Sequence, residues 1–167
     1  MKVLVATTNL GKIKEFEGIF PKNIEILTLR DFNIDIDVEE TGKTFHQNAF
    51  LKANEYYKLS NIPTISEDSG LEVSELKGEP GIYSARYGGE NLNDQDRVDL
   101  ILKKLLPVPN NKRQARFISV ICGVGFTSKP IYSEGLLEGF ISEHKEGKNG
   151  FGYDPIFIPL GSNKTTA

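Results

Sequence analysis

After Met1-Lys2 the chain runs Val3-Leu-Val-Ala6 without a polar residue, then breaks into Thr7-Thr-Asn-Leu-Gly-Lys12. A short stretch that is apolar at every position offers no face to water. It therefore belongs to a strand covered on both sides, the usual state of a parallel strand. Lys12 to Phe20 follows with apolar residues at 13, 16, 19 and 20, which is helical spacing, and Pro21 closes that helix. "IEIL" (24–27) reads as a second strand. A β-α-β opening commits the chain to an α/β fold.

The remainder continues the alternation. "NIDIDVEE" (33–40) is apolar at 34, 36 and 38 and acidic at 35, 37 and 39, the pattern of a half-exposed extended segment. Thr44 to Leu59 reads as a helix with Phe45, Ala49, Ala53 and Tyr56 on one stripe. Strands are predicted at 62–66 and 71–76, and a glycine-proline loop at 77–81. A helix at 93–106 is amphipathic through Val98, Ile101, Leu102 and Leu105, and Pro107 ends it. The runs 114–126 and 130–141 read as a hairpin, and "DPIFIP" as a last strand. The late hairpin makes the sheet mixed, flanked by helices.

A chain of 167 residues reads as one domain, able to bury roughly 70% of its unfolded surface. Its formal charge of −3 argues against a nucleic-acid binder, since such modules carry a basic excess. The one cysteine excludes an internal disulfide and a multi-cysteine zinc site. Cys122 lies in "FISVICGVGF" and reads as a buried thiol. No apolar run is long enough to span a membrane, and "MKVLVATTN" is too short and polar for a signal peptide, so a cytoplasmic protein is expected.

Chemistry concentrates in a few places. "ISEDSG" (65–70) sets Glu67 beside Asp68 at the end of an apolar run. Neighbouring carboxylates repel unless water or a cation lies between them; the plainer reading is an acidic turn. The turn at 7–12 joins a buried strand to a helix, where backbone N–H groups bind anions. Thr7, Thr8 and Asn9 add donors, Gly11 allows close approach and Lys12 adds a cation; alternatively Thr8 or Asn9 merely caps the helix. The stretch is too short for the GxxxxGK[ST] phosphate loop, and Ile13 stands where magnesium-binding Ser/Thr would be.

Lys52 shares the stripe of 45, 49, 53 and 56, so it must reach the helix edge or meet an anion. Glu40 precedes that helix, where a carboxylate suits the dipole or a cation. His46 and His144 read as surface residues, which argues against a histidine-based zinc site or triad. Arg86, in "PGIYSARYGGE", suits a phosphate or stacking on Tyr83 or Tyr87. "GFGYDP" (150–155) offers rings for a nucleobase, or for packing its own loop. Taken together, these features would hold a magnesium–polyphosphate–base ligand.

"ATTNLGK", "EETGKTFHQNAFLKA", "ISEDSGLEV", "GEPGIYSARYGG" and "GFGYDPIFIP" resemble, in order and spacing, the inosine triphosphate pyrophosphatase (XTP/dITP diphosphatase) family. The resemblance implies Mg2+-dependent cleavage of ITP, dITP or XTP into the monophosphate and pyrophosphate. It also implies an elongated mixed sheet with two lobes and a substrate cleft, and a homodimer. It assigns Thr7, Thr8, Asn9, Leu10, Gly11 and Lys12 to the triphosphate. Glu40, Glu67 and Asp68 become metal-associated acids, with Asp68 also the base. Lys52, Ser69 and Arg86 become substrate contacts, and Phe151, Gly152, Tyr153 and Asp154 the base-binding loop. The resemblance also implies a helix and a Ser-His-Arg motif past "KTTA", so with Ala167 as the last residue either the sequence is incomplete or part of the base pocket is missing. Two alternatives compete: a nucleotide-binding module without turnover, and the related Maf-type nucleotide pyrophosphatases.

Overall fold

The computed structural model describes residues 1–167. Strand β1 (Lys2–Val5) leads through helix α1 (Leu10–Ile19) into β2 (Glu25–Thr28). Helix α2 (Phe45–Ser60) precedes β3 (Thr64–Val73), and α3 (Asp94–Lys104) precedes β4 (Gln114–Val124), β5 (Ile131–Ile141) and the short β6 (Phe157–Pro159). The strands form one six-stranded sheet in the order β2-β1-β3-β4-β5-β6. β1 pairs in parallel with β2 and β3, whereas β5 and β6 are antiparallel, so the sheet is mixed as the alternation predicted. No helix is long and apolar enough to cross a membrane.

Two compact units make up the chain. The first comprises Met1–Asp68 and Ser119–Glu134. Because successive residues of a strand face opposite ways, β1 feeds two cores. Val3 and Val5 pack with Ile65 and the α1 residue Phe16. Leu4 and Ala6 pack with Leu29 and the α2 residue Tyr56. That double cover is why the opening run is apolar throughout. The segment 33–40 forms no strand; the Tyr56 hydroxyl donates to the Ile36 carbonyl at 2.7 Å, and Ile34 and Val38 lean on the second of these cores. Cys122 is buried, as its apolar setting predicts.

The second unit comprises Ser69–Ile118 and Gly135–Ala167. Its core joins the α3 stripe Val98, Ile101 and Leu105 to Leu71, Val73, Ile156 and Phe157. Asn93 caps α3 through a reciprocal pair with Asp96. The buried Arg113 guanidinium donates to the carbonyls of Val108 (3.0 Å), Ser142 (2.9 Å) and Leu105 (2.9 Å).

The predicted boundaries are corrected in three places. α1 begins at Leu10 because Asn9 caps it: its Oδ1 accepts from Gly11 N (2.8 Å) and Lys12 N (3.4 Å). The two strands predicted at 62–66 and 71–76 are one strand, β3, followed by a 3-10 turn at Ser74–Leu76. Ser69-Gly70 resembles a turn in isolation, yet β3 lies between β1 and β4, and ladder pairing overrides local turn preference. The last strand shortens to 157–159 because Asp154–Ile156 forms a 3-10 turn.

Candidate active site

The continuity of β3 decides where its two acids go. Glu67 and Asp68 lie within the strand rather than at its tip, so they leave on opposite faces. Ser66, on the Asp68 face, donates to the Ala49 carbonyl of α2. Ile65, on the Glu67 face, packs against α1. The expected strand-tip placement of Glu67 and Asp68 is thereby corrected to mid-strand. Each carboxylate lies beside a lysine, Glu67 beside Lys12 and Asp68 beside Lys52.

On the α1 side, Lys12 Nζ lies 2.5 Å from Glu67 Oε2, and the Ser119 hydroxyl donates to Glu67 Oε1 at 2.8 Å. Lys12 and Glu67 are both largely buried. The turn before Lys12 is internally bonded: besides the Asn9 cap, Thr7 Oγ1 accepts from Asn9 N at 3.1 Å. Thr8, Asn9 and Leu10 are exposed. The capping reading of this turn therefore holds: Asn9 fixes the loop, and the exposed residues face water.

On the α2 side, Lys52 Nζ lies 2.5 Å from Glu40 Oε1 and 3.6 Å from Asp68 Oδ1. The stripe lysine meets anions, both of them the chain's own. Asp68 is 6% exposed, and its Oδ2 has no hydrogen-bond partner. Burial pushes the Asp68 carboxyl above its usual range; Lys52 opposes this, Glu40 reinforces it, and Asn48 and Lys12 oppose it more weakly. An acid held so is a candidate proton acceptor.

No three His, Cys, Asp or Glu side chains are gathered into a ready-made metal cage. Glu40 and Asp68 flank Lys52 as a two-carboxylate set, with Asp68 Oδ2 unpartnered. That donor set suits Mg2+, which is bound through one or two carboxylates and takes its remaining ligands from water and substrate phosphates. It does not suit zinc, since both histidines are exposed and engaged elsewhere, His46 near Glu134 (3.7 Å) and His144 with Glu146 (2.9 Å).

Ser69, Arg86 and residues 151–154 belong to the second unit. Ser69 is half-buried in β3. Arg86 lies 5.2 Å over the Tyr83 ring, the stacking alternative. Of the two loop aromatics only Phe151 is exposed, at 46%. Tyr153 is buried, its hydroxyl donates to the Ser84 carbonyl at 2.9 Å, and burial pushes its pKa far up. Tyr153 therefore packs the loop, and Phe151 is the ring left open to solvent. Asp154 also serves the loop: Oδ2 accepts from Phe151 N (2.9 Å) and Oδ1 from Thr166 Oγ1 (2.8 Å). Gly152 N donates to Asp94 Oδ2 at 3.1 Å.

Asn48 and Ser119 escape a reading of the sequence. Asn48 carries a signal, because helical spacing puts this polar residue in the stripe of Phe45 and Lys52. Ser119 carries none, since only sheet pairing brings it to Glu67.

The dITP/XTP pyrophosphatase of Bacillus cereus is 46% identical over 160 residues, covering 93% of this chain and 78% of that protein. That of Oceanobacillus iheyensis is 45% identical over 168 residues, covering 99% and 85%. The structure of the Staphylococcus aureus Ham1 protein superposes with a TM-score of 0.89 at 43% identity, covering 100% of this chain and 85% of that one. A family model matches residues 3–167. On fold and sequence alike, the chain belongs to the Ham1 family.

Proposed function

We propose that this protein hydrolyses deaminated purine nucleoside triphosphates, dITP, XTP and ITP, to the monophosphate and pyrophosphate. The observation that carries the reading is the cluster of Glu40, Lys52 and Asp68, with Lys12 and Glu67 beside it in the same unit. The activity named for the Bacillus and Oceanobacillus relatives supports it.

Water attacks the α-phosphorus, the bond from that phosphorus to the bridging oxygen breaks, and pyrophosphate leaves with the electron pair. Asp68 takes the water's proton, and Oδ2 is the oxygen free to accept it. Burial raises its affinity for a proton above that of an ordinary carboxylate. Lys12 and Lys52 exchange their carboxylate partners for phosphate oxygens and offset charge on the leaving group. Glu40 and Asp68 would hold Mg2+, which when bound neutralises phosphate charge and polarises the phosphoryl oxygens. Thr7–Gly11 bind the polyphosphate tail, Ser69 and Arg86 contact substrate, and Phe151 stacks on the base. A homodimer and a cytoplasmic setting belong to the same reading.

A coupled pyrophosphate assay with ITP, XTP, dITP and ATP in Mg2+ tests the proposal. Stoichiometric pyrophosphate from the deaminated substrates is expected, with ATP the poorer substrate. Binding of ITP without any release would leave a non-hydrolytic module and sink it.

A further inference from the structure

The acids of the site do not hold themselves in place. Glu40 sits in an irregular segment, and Asp68 on a strand. Asn48 closes the first turn of α2 and is 0% exposed. Its Oδ1 accepts from Gly42 N at 2.8 Å, two residues beyond Glu40. Its neighbour Gln47 does the same one residue on, with Oε1 accepting from Lys43 N at 2.7 Å. The incoming segment is thus pinned by side chains at the start of α2.

The opposite end of the same carboxamide faces Asp68. Asn48 is near enough to Asp68 to hold its pKa down, and Asn48 Nδ2 and Asp68 Oδ2 are both buried without a hydrogen-bond partner. A fully buried amide with an unsatisfied donor is costly and needs a reason. Gly42 sharpens the point. A Cβ there would collide with Asn48 Oδ1 and Gln47 Cβ, so the absence of a side chain at 42 is what lets the carboxamide occupy its place.

We propose that Asn48 is a positioning residue for the reaction proposed above: through Gly42 and Asp68 it fixes the segment bearing Glu40 relative to the acid on β3. Asparagine is the residue that serves both ends. Aspartate retains an acceptor for Gly42 N but sets a carboxylate against Asp68. Leucine, of similar volume, serves neither.

The inference rests on the pyrophosphatase reading, so the test runs the wild type beside Asn48→Asp and Asn48→Leu, with circular dichroism and thermal melts to verify folding. Pyrophosphate release from ITP in Mg2+ gives kcat and KM, and amide exchange of residues 39–43 in the free protein reports on the pinned segment. Both variants are expected to lose at least about 10-fold in kcat with KM changed less than about 3-fold. Asn48→Leu should also lose amide protection at Gly42, while Asn48→Asp keeps it. That split separates positioning from a general loss of packing. An active wild type with an unchanged kcat in folded Asn48→Asp overturns the inference alone. A wild type that releases no pyrophosphate overturns the reading and the inference with it. Where neither variant folds, Gly42→Ala displaces the carboxamide without altering it, and the same kcat loss is expected; wild-type kcat there overturns the proposal.

Discussion

Lys12 and Glu67 form a 2.5 Å ion pair, Lys12 from the first turn of α1 and Glu67 from the middle of β3. Both side chains are largely shielded, so the lysine is stored against a carboxylate until a stronger anion arrives. Lys12→Met should raise Kd for ITP by about 10- to 100-fold, the worth of one charge-assisted hydrogen bond to phosphate. Isothermal titration would measure it. An unchanged Kd would make the pair purely structural.

Lys52 sets the opposite balance. It lies between Glu40 and Asp68, so Lys52→Ala leaves two carboxylates facing each other without their cation. Triphosphate affinity should fall about 10-fold or more, while the melting temperature changes little in the presence of Mg2+. A lysine that merely covered apolar surface with its stem would give the reverse pattern, lost stability with affinity kept.

Asp68→Asn should cut pyrophosphate release by about 10²- to 10⁴-fold and yet stabilise the metal-free protein at neutral pH. The sign follows from burial. Burial holds the folded-state pKa of Asp68 above the ordinary aspartate value of 3.8, so folding favours the protonated form. That contribution is fully present below the unfolded pKa and is lost as pH rises through the folded one. Asparagine keeps it at every pH. Urea unfolding in EDTA should show the variant more stable at pH 7, with the gap closing as pH falls toward 3.8. A variant less stable than wild type at pH 7 would contradict the argument.

Phe151 and Tyr153 should separate cleanly. Phe151→Ala removes an exposed ring and should raise KM for ITP by roughly 5- to 100-fold at unchanged stability, since base stacking is worth about 1–3 kcal/mol. Tyr153→Phe strands the Ser84 carbonyl and should cost about 1–2 kcal/mol of stability with kinetics preserved. Parallel denaturation and steady-state measurements distinguish the two.

Arg113 offers a control in the second unit, bonded to backbone carbonyls alone. Arg113→Met leaves the carbonyls of Leu105, Val108 and Ser142 without their donor and should destabilise by about 3 kcal/mol. The KM of the surviving folded enzyme should match wild type.

Much of this was legible before any coordinates. Val3 to Ala6 announced a doubly covered strand because no position was polar, and Lys52 stood out because a charge interrupted an apolar stripe. Ser69 and Gly70 misled for a local reason. They are turn-prone residues, and only the neighbouring strands β1 and β4 hold them extended. That error carried the next one: with β3 broken at 66, Glu67 and Asp68 shared a tip, whereas with β3 intact they part company. Tyr153 read like Phe151 because composition says nothing about which ring the Ser84 carbonyl will take. Asn48 had a visible position in the stripe, but its partner Gly42 lies across a helix start, where no periodicity reaches.

The strand from Thr64 to Val73 is flanked by β1 and β4, and it carries Asp68 at its midpoint. An acid so mounted cannot loosen by degrees, because freeing it means dismantling the sheet around it. Damage elsewhere in the chain, at Arg113 for instance, should therefore change how many molecules are working and not how well each one works. In a cell such lesions would act on abundance, through the protease-sensitive unfolded fraction, while the turnover of every surviving copy stays at full value.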